Sequence, residues 1–254
     1  MMRDISSMSV LITGGGSGIG AGTARYFAER GAKVTICGRR LEKVEAVARD
    51  IGPNVKGVQA DITDAGDRAR LIDAAVAHGD GLDALVNNAG NMYRGPIDQL
   101  DEEKLVQVFN SNVIAAMMLT GLAVEHLEKR KGAVIFIGSI HTRRAYPGAS
   151  PYAATKGAVQ ALTQVLAAEL GEKKIRVNCV VPGAVLTEIN QRAGLVTEDE
   201  AEARLNAMAG AHVLRRIGTE EEIAEAIDYL TRAEWTTGAL LDVDGGLGLG
   251  LSEG

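Results

Sequence analysis

Cysteine is scarce in this chain. Its 254 residues include two, Cys37 and Cys179, each inside a short apolar run. That supply supports no disulfide framework, and buried free thiols in a reducing compartment are expected. No block of lysines and arginines occurs, and aromatic residues do not alternate with basic ones. With a formal net charge of −6, the composition speaks against a nucleic-acid partner. No apolar run approaches the length of a membrane span, and residues 1–8 are too few and too polar for a signal peptide. The expectation is a cytoplasmic protein with no membrane partner. Linkers, repeats and low-complexity stretches are missing too, and no metal is expected. What is present, 46% hydrophobic and 24% charged residues, is the range of a globular chain long enough for one large core.

Apolar runs and turn signals alternate along the whole length. Strands are predicted at 10–13, 33–38, 55–60, 82–87, 133–137, 176–181 and 239–243. Helices are predicted between them, at 19–30, 41–51, 66–78, 102–129 with an interruption near Asn112, and 151–170. A further helix ends near Leu230 and is opened by Thr219-Glu-Glu-Glu222, a capping box. This order predicts an α/β fold in a single domain spanning residues 1–254. The architecture is Rossmann-type and doubly wound, with a mainly parallel seven-stranded sheet and helices on both faces. The polar segment 184–216 has little core signal and is expected to be a mobile lid over the substrate. The glycine-rich tail, 245–250, reads as either flexible or docked.

The stretch 139–156 carries the chemistry. Ser139 sits where the strand 133–137 ends. Pro151 suits the first turn of a helix, where its missing N–H costs nothing, and Ser150 suits the cap before it. Tyr152 and Lys156 are four apart on that helix and share a face. A free tyrosine has a pKa near 10, so its phenolate is scarce at neutral pH. A neighbouring ammonium lowers that value, and a phenol so tuned can give or take a proton at an alcohol or carbonyl oxygen. No other tyrosine here has a lysine four residues on. Near the start, Thr13-Gly-Gly-Gly-Ser-Gly-Ile-Gly20 joins the first strand to the first helix. Glycines there let the backbone approach a pyrophosphate, whose charge the helix N-terminus favours.

Thr13-Gly14 with Gly18-Ile19-Gly20, Asn87-Asn88-Ala89-Gly90, Asn112, Ser139, Tyr152, Lys156, and Pro182-Gly183 with Thr187 stand in an order that resembles the short-chain dehydrogenase/reductase family. The likeness runs over residues 8–246, with a slightly short connection at 231–238. It implies a nicotinamide cofactor lying across the carboxyl ends of the strands. Tyr152 would then be the acid/base, with Lys156 lowering its pKa and holding the nicotinamide ribose. Ser139 would orient the substrate, and Asn112 would place a water in a proton relay through Lys156. For Asn112 a purely structural role in interrupting its helix stays open. Gly14, Ser17, Gly18, Ile19 and Gly20 would cradle the phosphates, and Asn88, Ala89 and Gly90 would line the cofactor. Asp61 and Ile62 would flank the adenine, although Asp61 with Thr63 could simply cap a strand end. Pro182, Gly183, Val185 and Thr187 would meet the nicotinamide end. The family resemblance also implies a homotetramer, built on the last strand and the paired long helices.

The expected reaction interconverts a secondary alcohol with a ketone or aldehyde. Pocket walls are expected from Met92, Tyr93, His141 and Tyr146, with Asn91 and Ile140 beside them. His141 could meet a sugar or polyol hydroxyl, or be a solvated loop residue. Sugar dehydrogenases similar to glucose 1-dehydrogenase and 3-oxoacyl-carrier-protein reductases stay as alternatives. A non-catalytic dinucleotide sensor would be expected to lose Tyr152 or Lys156, and both are present. Arg143 and Arg144 read as surface or subunit-contact residues, or as contacts for an anionic substrate or carrier. An NAD site of this type places an acid at the end of the second strand, where this chain has Gly38 followed by Arg39 and Arg40. Guanidinium groups fit a 2′-phosphate, and arginine at a helix N-terminus is otherwise unfavourable. NADP(H) is therefore the expected cofactor.

Overall fold

The structure is a computed structural model that describes residues 2–185 and 207–250. Seven strands form one sheet. They are β1 (Ser9–Thr13), β2 (Lys33–Gly38), β3 (Val55–Gln59), β4 (Ala84–Asn87), β5 (Ala133–Ile137), β6 (Arg176–Pro182) and β7 (Leu240–Val243). Their order is β3-β2-β1-β4-β5-β6-β7, and every neighbouring pair is parallel. β1 and β5 are buried at every position, as their unbroken apolar runs require in a parallel sheet covered on both sides.

Side chains alternate between two cores. Leu11, Leu85, Val134 and Phe136 face one, and Val10, Ile12, Val86 and Ile135 face the other. The first core is closed by α3 (Ala65–Gly79), α5 (Ala115–Arg130) and α6 (Ser150–Leu170), through Leu71, Leu119, Leu127 and Val159. The second is closed by α1 (Gly18–Glu29), α2 (Leu41–Ile51) and α7 (Glu220–Arg232), through Phe27, Val44, Ile223 and Ile227. β1 and β4 lie side by side, yet their following helices go to opposite faces. A crevice opens at their carboxyl ends, the topological switch point where open α/β sheets bind ligands.

Most helix boundaries follow from local chemistry. Thr219 and Glu222 form the expected capping box, with Glu222 N–H donating to the Thr219 hydroxyl and Thr219 N–H to the Glu222 carboxylate. Asp64 caps α3 by accepting from Asp67 N–H at 2.8 Å. Ser150 departs from its expectation. It is already inside α6, Ala149 takes the cap position, and no side chain caps this end. The reason is a turn closed by Ala149 N–H on the Tyr146 carbonyl, which starts the helix one residue early. The long helix is interrupted where expected: α4 (Glu102–Phe109) passes through a π turn, Asn110–Ile114, into α5.

The stretch Glu102–Arg130 corrects one reading, because it is long and apolar enough to cross a membrane by length and composition. In the fold, Ala115, Leu119, Ala123 and Leu127 from this stretch are fully buried in the core beside the sheet. The tail is docked. The Asp244 carboxylate accepts from Gly246 and Gly248 N–H, and Leu247 is buried. Of the expected lid, residues 186–206 lie outside the described residues, and Thr187 lies with them.

Candidate active site

At the end of β1 the chain turns through Gly14, whose φ of +69° suits glycine. The Thr13 hydroxyl accepts from Asn88 N–H and Ala89 N–H, tying this turn to the end of β4. The Asn88 side chain donates to the carbonyls of Thr13 and Gly14. Gly20 packs against the same point. A Cβ there would sit 2.4 Å from the Gly14 carbonyl oxygen and 2.6 Å from the Asn88 amide nitrogen. Gly20 is therefore fixed by packing, and it is not among the residues lining the cavity. Ser17 caps α1 in position only, and its side chain makes no capping bond. The first N–H groups of α1 are left to face the crevice, as an anion-binding helix end does.

A cavity of about 650 Å³ runs along the carboxyl ends of the strands. Gly14, Ser17, Gly18 and Ile19 line one part of it, together with Gly38 and Arg39. Ala60, Asp61, Ile62 and Thr63 form an adjoining wall. Asn88, Ala89 and Gly90 line the middle, and Pro182, Gly183 and Val185 close the side toward β6. The open helix end, the glycine turn and this length of cavity fit a dinucleotide. Asp61 does cap its strand end, accepting from both the N–H and the hydroxyl of Thr63. Burial pushes its carboxyl upward, but the Thr63 hydrogen bonds and the Arg39 charge outweigh that, so it sits below the ordinary value. Arg40 lies outside the wall, because it occupies the N-cap of α2 and the chain turns away there.

Ser139, Tyr152 and Lys156 meet at the other end, and all three are buried. Ser139 follows β5 in an extended conformation and caps a short turn, Ile140–Thr142. Its hydroxyl is 3.0 Å from His141 Nδ1. Lys156 Nζ donates to the Ile137 carbonyl at 2.7 Å and lies 5.6 Å from the centre of the Tyr152 ring. Burial pushes the Tyr152 hydroxyl up to about 12, with the Ser139 hydroxyl pulling the other way. Burial also brings Lys156 down to about 8, with Cys179 opposing. The Lys156 ammonium is anchored by the strand carbonyl of Ile137, within reach of the Tyr152 ring.

Asn112 sits in the π turn and reaches across to the loop after β4. Its Oδ1 accepts from Asn91 N–H at 2.8 Å, and its Nδ2 donates to the Asn91 carbonyl at 2.8 Å and to the Thr155 hydroxyl at 3.1 Å. It therefore holds the backbone next to Gly90 and, through Thr155, the turn of α6 that carries Tyr152. His141 is not a solvated loop residue. Its ring lies 4.6 Å from Tyr146 and 5.2 Å from Tyr152, centre to centre. Burial, and then the charges of Arg94 and Lys156, lower its pKa to about 4, so it is neutral at physiological pH.

Met92, His141 and Tyr146 line the cavity as expected, and Asn91 and Ile140 do too. Tyr93 does not, because its hydroxyl accepts from Asp101 N–H at 2.7 Å and the side chain belongs to the start of α4. Arg143 is held by Asp242 and Gln160. Arg94, Gln107, Asn110, Ser111 and Met208 also reach the wall and had no signal in the sequence. They come from loop and helix positions that only the fold brings to this end.

A family model described as short chain dehydrogenase matches residues 8–196. An L-fucose dehydrogenase of Bos taurus is 38% identical over 246 residues, covering 95% of this chain and 89% of that protein. A short-chain dehydrogenase/reductase of Caenorhabditis elegans, solved with cofactor, superposes with a TM-score of 0.92 at 29% identity, over 98% of each chain. A 3-ketoacyl-(acyl-carrier-protein) reductase of Brucella melitensis, solved with NADH, does so with a TM-score of 0.85 at 31% identity, over 95% of this chain and 98% of that one. A parallel sheet with a glycine turn at its switch point, and a buried Ser, Tyr and Lys at the far end of one cavity, agree with these matches, and the chain belongs to the short chain dehydrogenase family.

Proposed function

We propose that this chain is an NADP(H)-dependent oxidoreductase that interconverts a secondary alcohol with a ketone or aldehyde. The observation that carries the reading is a single cavity with the glycine turn and Arg39 at one end and Ser139, Tyr152 and Lys156 at the other. A bound nicotinamide supplies hydride transfer. The chain supplies the proton and the shape. A phenol with a pKa near 12 keeps its proton at neutral pH, so Tyr152 stands ready as the donor to a developing alkoxide in the reduction direction. The Ser139 hydroxyl, oriented by His141, can hold the same oxygen. The Lys156 ammonium adds positive potential behind both. The segment 184–216 is proposed to act as a lid over the substrate.

Arg39 supports NADP(H), since it lines the cavity next to Gly38, which leaves room for a 2′-phosphate. The Brucella relative was solved with NADH, which makes cofactor choice a direct test. The wild type is expected to show higher kcat/KM with NADPH than with NADH. Gly38→Asp combined with Arg39→Ile is expected to shift that ratio toward NADH by on the order of tenfold to a hundredfold, the effect of losing a charge-assisted contact and adding a like charge. A Cβ at position 38 would stand 3.0 Å from Val44 Cγ2, so Gly38→Ala is the steric control. A wild type that prefers NADH overturns the role given to Gly38 and Arg39 and leaves the proton donor in place.

The proposed assembly is a homotetramer. Ile114, Met117, Met118 and Leu122 are exposed along the interrupted helix, with Val106 before them and Val165 on α6. Such a band suits a symmetric interface. Light scattering at micromolar concentration is expected to report four chains, and a monomer there would refute the assembly.

A further inference from the structure

Resting on the oxidoreductase reading, we infer that Gln160 is a positioning residue for this site: through Thr142 it fastens the turn that carries Ser139 to the helix that carries Tyr152 and Lys156. Tyr152, Lys156 and Gln160 follow one another at intervals of four on α6 and share one face. The first two line the cavity, and Gln160, one turn further on, does not. It is nevertheless buried, at 7% exposure. A buried amide is costly unless its polar ends find partners. Here both ends do. Its Nε2 donates to the Thr142 hydroxyl at 2.6 Å, and its Oε1 accepts from Arg143 Nη1 at 3.1 Å. The Thr142 hydroxyl donates in turn to the Ser139 carbonyl at 2.8 Å. At the outer end, Arg143 Nε donates to Asp242 on β7 at 3.1 Å.

The donors in this chain all point one way, from Arg143 through Gln160 and Thr142 to the Ser139 carbonyl. The amide is thereby fixed in orientation, because turned over it would set its NH2 against the guanidinium. The Ser139 carbonyl also accepts from Thr142 N–H at 3.1 Å, so this peptide is held twice by one residue. Ser139 needs such support, because it lies beyond the last residue of β5, where the strand ends. The turn Ile140–Thr142 fixes it instead, and Gln160 ties that turn to α6. Asn112 does corresponding work from another side, tying α6 to the loop after β4 through Thr155. The three reacting side chains come from two elements, α6 and the end of β5, so their spacing is only as exact as the contacts between those elements. A displacement of about 1 Å at such a site can cost on the order of a hundredfold in rate. Connected polar networks of this kind rigidify what they join.

The test uses ethyl acetoacetate and butane-2,3-dione with NADPH, and L-fucose with NADP, taking whichever the wild type turns over best. Gln160→Leu is expected to lower kcat by on the order of tenfold to a hundredfold, with KM for the dinucleotide unchanged. Thr142→Val should follow it, and Thr142→Ser, which keeps the hydroxyl, should recover most of the rate. In a Ser139→Ala background Gln160→Leu should cost nothing further, because the group it positions is gone. An equal loss in both backgrounds overturns the inference, since Gln160 would then act on the fold at large. A second readout needs no turnover. The chain has four histidines, so His141→Gln identifies the His141 ring in a nitrogen NMR spectrum. His141 Nδ1 is 3.0 Å from the Ser139 hydroxyl, and its shift should move in Gln160→Leu and Thr142→Val in the direction that Ser139→Ala moves it. A shift that stays at the wild-type value in both variants overturns the inference. Slow Ser139→Ala with normal Gln160→Leu and Thr142→Val would sink the inference and leave the oxidoreductase reading standing. A moved shift with no turnover of any of the three substrates would uphold the positioning and sink that reading.

Discussion

Tyr152→Phe is expected to lower kcat by on the order of 10²–10⁴, the range of a general acid–base contribution. The substitution removes one hydroxyl and keeps the ring, which is 6% exposed and in contact with His141. Thermal stability should hold, because the ring contacts stay and the hydroxyl lost is one that burial penalises when ionised. Cofactor affinity should hold too, since the glycine turn and the Asp61–Thr63 wall lie at the other end of the cavity. Measured with NADPH and a carbonyl substrate, the loss should fall on the chemical step and be equal in kcat and kcat/KM. Near-normal turnover would remove Tyr152 as the proton donor.

The second large effect concerns Asn112. Asn112→Ala leaves Asn91 N–H and the Asn91 carbonyl without their partner and removes the bond that the Thr155 hydroxyl accepts, while Thr155 keeps its bond to the Tyr152 carbonyl. Asn112 is 3% exposed, so water does not readily replace those bonds. A loss of stability of about 2–4 kcal/mol is expected, as for buried polar groups left unpaired. Because Asn91 follows Gly90 in the cavity wall, KM for the dinucleotide should rise as well. Denaturant melts and cofactor titrations of the same variant check both effects. If stability and cofactor affinity stay at wild-type values and only kcat falls, Asn112 serves the proton relay alone and its clamp on Asn91 is dispensable. The structure explains why the site sits at a π turn: the extra residue in that turn lets Asn112 face the loop after β4 while α5 continues along the sheet.

The sequence by itself determined the strands and helices, their alternation and the nucleotide-fitting turn. Those features depend on near neighbours: buried strands read as runs such as Ala133–Ile137, Thr219 caps through Glu222, and a positive φ at Gly14 needs a glycine. The pairing of Tyr152 with Lys156 was legible for the same reason, being one helical turn. Tertiary structure decided where side chains of different segments point and what burial does to their charge. Lys156 turned to the Ile137 carbonyl, and burial of Tyr152 added a desolvation effect on its hydroxyl that spacing alone does not show. Tyr93 left the cavity because Asp101 at the start of α4 took its hydroxyl, and Gly20 became a packing contact because Asn88 lies against it. Arg94 stands well before Tyr146 in the chain, and only folding brings its charge near the Tyr146 hydroxyl. Spacing in a sequence cannot encode that, because desolvation and long-range contact exist only once the chain has closed around them.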